Sequence, residues 1–444
     1  MSYSYPNSLC FPDDEIEDAA LVCRRKRITR IVLADDDGNL AAEFVVFHEL
    51  TGECPGAAGW STAPTPLRKN CFATVPWHSE NRAVWSIVCN RLRRHAHREC
   101  KMSMSTTYRA VEVARPGLLQ LTQRPLKEPT AGQVRIRVEA CGVCHSDSAT
   151  VDGLLPGITF PRVPGHEVVG KIDAIGQGVS GWKIGQRVGV GFLGGHCGQC
   201  QSCRRGDFVN CTNQPVSGAH FDGGYAEVMM AFPNGLVAIP DGLSSVDAAP
   251  LLCAGLTTFN ALRRSSAKPG ELVAILGIGG LGHLGIQFAA HMGFKVMAVA
   301  RGPEKEQLAK KLGAHHYIDS SAGDPAAALK SLGGAKVILA TTSDSKSMSA
   351  IMGGLATRGR MIVLGAGLEA IQVSPFQLLF SSVGVEGALT GSPIDNEDTL
   401  GFSLLRGIKP MIETVPLEKA EEGYRKMMNN KARFRVVLTM DERL

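Results

Sequence analysis

The spacing of hydrophobic and polar residues divides most of the chain into two kinds of structure. Residues 108–113 and 134–139 alternate between apolar and polar positions, as half-buried antiparallel strands do. Residues 271–276 form an apolar run that is typical of a strand buried on both faces in a parallel sheet. A helical period follows over residues 283–292. The pattern predicts a β-rich region followed by an α/β region.

Five more apolar runs alternate with helical segments in the second region. They cover residues 295–300, 317–318, 336–340, 360–364 and 383–389. Pro303 is placed to begin one of the helices between them, and Gly313 to end it. We therefore predict a six-stranded, doubly wound parallel sheet. The stretch 272–300 contains six glycines, two histidines and Lys295, so it is not predicted to span a membrane.

The two ends of the chain differ from these regions. Residues 1–101 hold only four of the 50 glycines and show no repeat or clear amphipathic period. We expect residues 1–103 to be a poorly ordered extension, with weak signals for a strand over 28–34 and a basic helix over 83–94. The alternative is a regulatory or targeting arm that uses a basic cluster at residues 91–98.

The last part of the chain no longer follows the alternating pattern. Residues 435–438 are predicted to form a strand that returns to the sheet of the first region. We therefore assign residues 104–254 and 392–444 to one discontinuous domain, and residues 255–391 to the parallel-sheet domain.

Composition narrows the class of protein. A net charge of +5 is too small to predict nucleic-acid binding. Acidic residues between positions 13 and 17 interrupt any secretory signal. Without such a signal, the 13 cysteines favour metal binding in a reducing compartment over disulfides. We expect a cytosolic protein with no membrane and no nucleic-acid partner.

Four cysteines give the most specific local signal. They follow the spacing C-x2-C-x2-C-x7-C and are Cys197, Cys200, Cys203 and Cys211. Four thiolates at short spacing can enclose one tetrahedral zinc ion. An iron–sulfur cluster or a nucleic-acid-binding zinc module are the alternatives. The spacing differs from ferredoxin-type runs, and no aromatic residues interleave with the nearby arginines, so a structural zinc is favoured.

A second candidate set is spread more widely along the chain. Cys144, His166 and Cys253 each lie close to a glycine, and Asp147 and Glu167 are acids that could orient a metal-bound imidazole. Three protein ligands leave a fourth position for water or substrate, which is the arrangement of catalytic zinc sites. Each of these residues alone is a weak signal.

The motifs around these residues resemble the medium-chain alcohol dehydrogenase family. The run GHEVVGKIDAIGQGV at 165–179 is similar to the zinc signature of that family, and CGVCHSD and LLCAGLTT are similar to the segments with its other ligands. The resemblance covers roughly residues 106–444. It implies a GroES-like catalytic domain, a Rossmann domain, and dimers or tetramers.

The resemblance also implies roles for individual residues. Cys144, His166 and Cys253 would bind catalytic zinc, with Glu167 close enough to move toward the metal and Asp147 orienting His166. Ser146 would relay the substrate proton, and Thr257 would line the nicotinamide site. Many relatives have a histidine where this chain has Ala149. The proton is therefore expected to leave through Ser146 with the cofactor ribose, through His145, or through water.

A glycine fingerprint follows the first parallel strand. Gly277, Gly279 and Gly282 form G-x-G-x-x-G with Gly280 and Leu281 between them, in the strand–helix context that dinucleotide binding requires. Where an acid would bind the ribose of NAD, the chain has Arg301. We favour NADP over NAD on this basis, although Glu304 is an acid that the ribose could also reach.

These observations favour a zinc-dependent alcohol dehydrogenase or aldehyde reductase that transfers hydride between a primary alcohol or aldehyde and NAD(P). A reductase of cinnamyl or other bulky aldehydes shares every motif. A non-catalytic zinc-binding relative, and a nucleic-acid binder that uses the basic N-terminal cluster, are alternatives from other classes.

Overall fold

In the computed structural model, residues 26–34, 40–49 and 106–440 are described, the first two by backbone only. The chain divides into two units between Ser105 and Thr106. In the first unit, β1 (Lys26–Ala34) and β2 (Leu40–Glu49) pair antiparallel, so the strand predicted over 28–34 is present. The helix predicted over 83–94 and the rest of the predicted extension lie outside the described residues.

The second unit begins with the β-rich part. It contains a ribbon of two strands and a sheet of seven strands. The ribbon strands are β3 (Thr107–Arg115) and β4 (Leu118–Pro125). The first five strands of the sheet are β5 (Val134–Val143), β6 (Val168–Ile175), β7 (Arg187–Val190), β8 (Val228–Ala231) and β9 (Leu236–Ala238). The short helices here are α1 (Ser148–Val151), α2 (Gln201–Arg204) and α3 (Ser245–Pro250).

The parallel sheet is the core of the following part. After α4 (Leu256–Arg263), its strands are β10 (Leu272–Leu276), β11 (Lys295–Ala300), β12 (His316–Asp319), β13 (Ala335–Ala340), β14 (Leu355–Val363) and β15 (Gly384–Gly387). The spatial order is β12-β11-β10-β13-β14-β15, which is the Rossmann order, and all neighbours run parallel. The predicted six-stranded doubly wound sheet is confirmed.

Helices connect these strands and cover the sheet. They are α5 (Gly282–His291), α6 (Glu306–Lys311), α7 (Pro325–Ser331), α8 (Ser345–Ile351) and α9 (Pro375–Ser381). All five residues of β10 are buried, because helices pack on both faces of a parallel sheet. Among the described residues, no helix has the length and apolar character needed to cross a bilayer.

The chain then returns to the β-rich sheet. The returning elements are α10 (Pro393–Arg406), β16 (Ile412–Pro416), α11 (Ala420–Met428) and β17 (Arg435–Thr439). Strand β17 pairs antiparallel with β5, with Val436 opposite Val143. The predicted return of residues 435–438 to the first sheet is therefore confirmed. This pairing places the C-terminal strand beside the residues that follow β5.

Candidate active site

Three separate segments supply the residues of the widely spaced metal set. Cys144 directly follows β5, and His166 and Glu167 directly precede β6. Strands β5 and β6 pair antiparallel, with Cys141 opposite Val168, so the end of one lies beside the start of the other. Cys253 lies in a π-helical turn over Leu251–Gly255, a local irregularity that is frequent at functional sites.

The donor atoms of these residues form one cluster. Donor atoms of Cys144, His166, Glu167 and Cys253 all lie within 4.8 Å of one another. The two sulfur atoms of Cys144 and Cys253 are 3.8 Å apart. Two thiolates on one tetrahedral zinc would be about 3.8 Å apart, given Zn–S bonds of about 2.3 Å. Because His166 Nε2 is buried without a hydrogen-bond partner among the described residues, the cluster fits a zinc ion.

Asp147 holds the imidazole of His166 from the opposite side. His166 Nδ1 is 2.9 Å from Asp147 Oδ1, and both side chains are 2 % exposed. The other carboxylate oxygen of Asp147 accepts hydrogen bonds from Cys144 N–H and from the Tyr225 hydroxyl, each at 2.9 Å. Burial works to lower the pKa of His166, but the charges of Asp147 and Cys144 outweigh it and raise that pKa. Asp147 thus fixes which nitrogen of His166 is left for a metal.

Glu167 reaches the same cluster from a buried position. Its Oε1 pairs with the guanidinium of Arg435, whereas its Oε2 has no hydrogen-bond partner among the described residues. Burial raises the pKa of Glu167 to about 7, although the charge of Arg435 acts to lower it. A side chain at position 142 would meet Glu167 Oε2 at 1.9 Å, so Gly142 is required for this close approach. Glu167 can therefore serve as a ligand or as a neighbour of the metal.

The four closely spaced cysteines form the second cluster. Their donor atoms also lie within 4.8 Å of one another, with Cys197 Sγ 3.6 Å from Cys211 Sγ and 4.0 Å from Cys203 Sγ. Backbone N–H groups of Cys200 and Cys203 donate to the sulfurs of Cys197 and Cys200 at 3.4 Å. The hydrogen bond from Cys203 N–H lowers the pKa of Cys200 to about 6. Four thiols with this geometry fit one tetrahedral zinc ion.

The glycine fingerprint forms the turn between β10 and α5. Gly277 has a φ of +96°, which disfavours L side chains. A Cβ on Gly282 would lie 1.9 Å from Gly277 O, so the loop can close only on a glycine at that position. Thr341 directly follows β13. Its hydroxyl donates a hydrogen bond of 2.9 Å to Leu276 O and so stabilises the turn. The helix that follows presents its N-terminus to the loop, as pyrophosphate binding requires.

The end of β11 carries the residues for cofactor choice. Arg301 is exposed, and the next peptide is fixed by a hydrogen bond of 2.8 Å from Gly302 N–H to Asp319 Oδ1. Lys305 Nζ donates to Ile278 O of the fingerprint loop at 3.2 Å. Burial lowers the pKa of Lys305, as does the nearby charge of Arg433. Lys305 therefore lies beside the fingerprint loop, and the charges of Arg433 and Arg301 act on it.

The remaining predicted residues are placed as follows. His145 and Ser146 are exposed on a 3-10 turn directly after Cys144. Thr257 is buried on α4, one turn after Cys253. Glu304 lies with its carboxylate against Gly302, where an added Cβ would meet it at 2.1 Å. The candidate metal residues therefore converge, and Arg301 directly follows β11, where its charge acts on Lys305.

Sequence reasoning missed three residues that the structure brings to the site, namely Tyr225, Lys305 and Arg435. Arg435 was visible as a charged residue at the start of an apolar strand, which is a rare position unless the charge is paired. Tyr225 and Lys305 gave no comparable signal, because their partners are far away in sequence. A Cβ on Gly280 would lie 2.8 Å from Arg435 Nη1, so Arg435 also touches the fingerprint loop.

Comparison with known proteins identifies the family of the chain. The chain matches the alcohol dehydrogenase GroES-like domain over residues 130–241 and the zinc-binding dehydrogenase domain over residues 280–403. It is 42 % identical over 344 residues to alcohol dehydrogenase notN of Aspergillus sp. (strain MF297-2), and the match covers 77 % of this chain and 100 % of that protein.

Solved structures lead to the same family. The fold is similar to a cinnamyl alcohol dehydrogenase of Sorghum bicolor, with a TM-score of 0.69, 28 % identity, and coverage of 75 % of this chain and 97 % of that one. It is also similar to CAD from Helicobacter pylori complexed with NADP(H), with a TM-score of 0.68, 25 % identity, and coverage of 76 % and 99 %. The chain therefore belongs to the zinc-containing medium-chain alcohol dehydrogenase family.

Proposed function

We propose that the protein interconverts a primary alcohol and its aldehyde, with catalytic zinc held by Cys144, His166 and Cys253. The observation that carries the proposal is the buried, unpartnered Nε2 of His166 within a cluster of two thiols and a carboxylate. Zinc at such a site acts as a Lewis acid toward a substrate oxygen, and a nicotinamide cofactor accepts or donates the hydride.

The residues around the cluster would divide the remaining tasks. Asp147 orients His166, and Tyr225 holds Asp147 in turn. The Ser146 hydroxyl takes the proton of the substrate hydroxyl, because it is exposed on the turn next to Cys144. No imidazole is available at Ala149, so the proton passes from Ser146 to water, to the cofactor ribose or to the exposed His145.

The four-cysteine cluster would hold a structural zinc ion. Its four thiols leave no position for a substrate. With all seven cysteines between residues 106 and 440 present as free thiols, both sites call for a reducing compartment, which favours the cytosol.

We infer a preference for NADP over NAD from the end of β11. Arg301 stands where an acid would bind the ribose of NAD, and Lys305 and Arg433 add positive charge nearby. Arginine matches phosphate geometry well, so a 2′-phosphate would gain charge-assisted hydrogen bonds here. The carboxylate of Glu304 opposes this preference only if it turns from Gly302 toward the ribose.

A reductase of bulky or aromatic aldehydes is the second candidate. The ring of Phe192 packs edge-on against His166, with centroids 5.2 Å apart and an interplanar angle of 87°. An aromatic ring beside the metal ligands gives an apolar surface that would favour an aromatic substrate over a small polar one.

We also propose that the protein forms a homo-oligomer through the edge of the parallel sheet. Strand β15 is an edge strand, and the neighbouring α9 exposes Phe376, Leu379 and Phe380, the last at 75 %. The rings of Phe376 and Phe380 pack together with centroids 4.2 Å apart, and an exposed apolar patch of this kind marks a protein–protein interaction site. Phe380→Asp should shift the sedimentation coefficient of the protein toward that of the monomer. Ile184→Asp, on an exposed residue of the β-rich part, should leave it unchanged.

The activity test uses the full chain, with zinc quantified by mass spectrometry. Oxidation of NADPH and of NADH is followed with aliphatic and with aromatic aldehydes. Aldehyde-dependent oxidation is expected with about two zinc ions per chain. A zinc-loaded protein that reduces no aldehyde and oxidises no alcohol would refute the proposed activity. A higher kcat/KM for aliphatic aldehydes would reject the second candidate alone.

The cofactor preference is tested separately. Arg301→Gln should lower kcat/KM for NADPH about tenfold relative to NADH, because a charged hydrogen bond to phosphate is lost. Arg115→Gln removes the same charge from an exposed position in β3 and should leave the ratio unchanged. An unchanged ratio in the Arg301 variant would reject the phosphate role.

A further inference from the structure

His283 is a buried histidine that none of the steps above uses. It lies in the first turn of α5 and is 0 % exposed. Its ring stacks on Phe434, with centroids 5.1 Å apart and an interplanar angle of 28°. Burial lowers the pKa of His283 to about 4, so the ring is neutral at physiological pH.

Both ring nitrogens of His283 have backbone partners. Nδ1 lies 2.9 Å from the carbonyl oxygen of Gly279, and Nε2 lies 3.1 Å from the amide nitrogen of Met411. A carbonyl oxygen can only accept, and a peptide N–H can only donate. The proton must therefore be on Nδ1, and Nε2 must be the acceptor. This is the one neutral tautomer that satisfies both partners.

The two partners belong to different parts of the site. Gly279 is the middle glycine of the fingerprint, whereas Met411 precedes β16 in the returning segment. Met411 O accepts hydrogen bonds from the N–H groups of Phe434 and Arg435, each at 3.0 Å. The imidazole thus connects the fingerprint loop to the start of β17 through a single residue, Met411.

The position of β17 matters because its first residue contacts both functional regions. The guanidinium of Arg435 pairs with Glu167 in the metal cluster and lies against Gly280 in the fingerprint. A small movement of the loop relative to β17 would either separate the loop from Arg435 or drive the two together. His283 is the side chain that joins these two backbones by hydrogen bonds at both nitrogens.

We propose that His283 is a positioning residue for the cofactor, because it fixes the fingerprint loop against the segment that carries Arg435. The inference rests on the proposed function in taking that loop as the dinucleotide site. His283 itself touches neither the reacting atoms nor the metal ligands. Its loss should weaken binding of the dinucleotide and leave zinc binding intact.

The test uses substitutions that remove one or both hydrogen bonds. His283→Phe keeps a ring to stack on Phe434 but removes both bonds. His283→Asn keeps a donor near the position of Nδ1, and His283→Gln keeps an acceptor near the position of Nε2. The dissociation constants of NADPH and NADH are measured by fluorescence titration, together with zinc content, thermal unfolding and the KM values for cofactor and aldehyde.

Gln287 supplies the matched control. It lies one turn further along α5, and its side-chain amide donates to Lys409 O at 3.1 Å and to the backbone carbonyl oxygen of His283 at 3.2 Å. Gln287→Met therefore loosens the same helix from the same returning segment but leaves the imidazole of His283 with both of its own hydrogen-bond partners. A purely structural role of His283 would make the two positions behave alike.

His283→Phe is expected to raise the dissociation constant of the preferred cofactor about tenfold, and its KM similarly, with the KM for aldehyde and the zinc content nearly unchanged. His283→Asn and His283→Gln should lie between His283→Phe and the wild type, and they also carry the test if His283→Phe does not fold. Gln287→Met should lower thermal stability but leave cofactor binding unchanged.

Two outcomes would overturn the inference. If the wild-type protein bound cofactor and the His283 variants bound it equally well, or no worse than Gln287→Met, His283 would have only a structural role. If the wild-type protein bound neither NADPH nor NADH, the proposed function would fall and the inference with it. The two failures are therefore distinguished by the wild-type titration.

Discussion

The two candidate metal clusters both contain cysteine sulfurs but differ in what surrounds them. In the four-cysteine cluster, sulfur atoms receive hydrogen bonds from backbone N–H groups of their own loop. In the other cluster, the ligands come from three distant segments, and Asp147, Tyr225 and Arg435 surround them with buried polar contacts. A short loop therefore brings together the donors of the four-cysteine set, whereas the donors of the widely spaced set meet only through the fold and are supported by buried polar contacts.

The largest expected difference between the clusters is in activity. Cys144→Ser should lower kcat by about a thousandfold or more, because the Lewis acid is worth several kcal/mol. The zinc content should fall from two ions to one, with little change in the unfolding temperature. Measurement of kcat and of zinc on the same sample checks both expectations. Normal activity in a protein that lacks this zinc would remove the functional contrast between the clusters.

The converse change should act on folding. Cys200→Ser removes one thiolate from the closed cluster, and structural zinc contributes on the order of 10 kcal/mol to the folding of small zinc domains. We expect the loop over 197–211 to unfold locally, with loss of one zinc ion and a lower unfolding temperature. Limited proteolysis should cut this loop in Cys200→Ser and spare it in Cys144→Ser. The same cleavage in both variants would contradict the assignment.

Loss of stability at low pH could be attributed to metal loss from either cluster. Protonation of His283 makes a separate contribution, which must be distinguished from it. Burial lowers the pKa of His283 from 6.5 to about 4. As the pH falls, the imidazole is therefore protonated in the unfolded chain before it is protonated in the folded one. Stability from neutral His283 is therefore fully present above pH 6.5 and is lost as the pH falls toward 4. The loss amounts to about 3 kcal/mol.

Unfolding free energies of the wild type and of His283→Phe, measured between pH 7 and pH 4.5 with zinc quantified at each pH, isolate this contribution. The wild type should lose stability more steeply than the variant. If the unfolding free energies of the two proteins fell in parallel with pH, the acid sensitivity would be assigned to the metal sites alone.

We expect the smallest effect, a change in zinc affinity, from substitution of the residues that orient His166. Asp147→Asn should lower zinc affinity at the Cys144 cluster by about 10- to 100-fold, because it weakens the partner of His166. Tyr225→Phe removes one hydrogen bond to Asp147 and should have a smaller effect in the same direction. Competition with a chelator of known affinity measures both. Equal zinc affinity in Asp147→Asn and the wild type would show that His166 needs no such orientation.

Much of the fold was predictable because its signals are local. The run at 271–276 and the fingerprint after it predicted β10, the turn and α5, since a buried parallel strand and a glycine turn each leave a pattern in adjacent residues. The motifs around the candidate zinc ligands predicted them, and the structure brings their donor atoms together in two clusters. The boundaries of weak strands were less accurate, as in β14, which begins at Leu355 and not at residue 360.

Residue types at short spacing predicted the four-cysteine set, the parallel sheet and a basic residue, Arg301, in place of an acid, whereas the widely spaced set was predicted from the motifs around its members. Three contacts became apparent only in the folded chain: Arg435 connects the candidate metal cluster to the fingerprint, Tyr225 supports Asp147, and His283 joins two backbone segments. These contacts arise because buried polar groups must find partners, and the fold brings those partners from segments far apart in the chain.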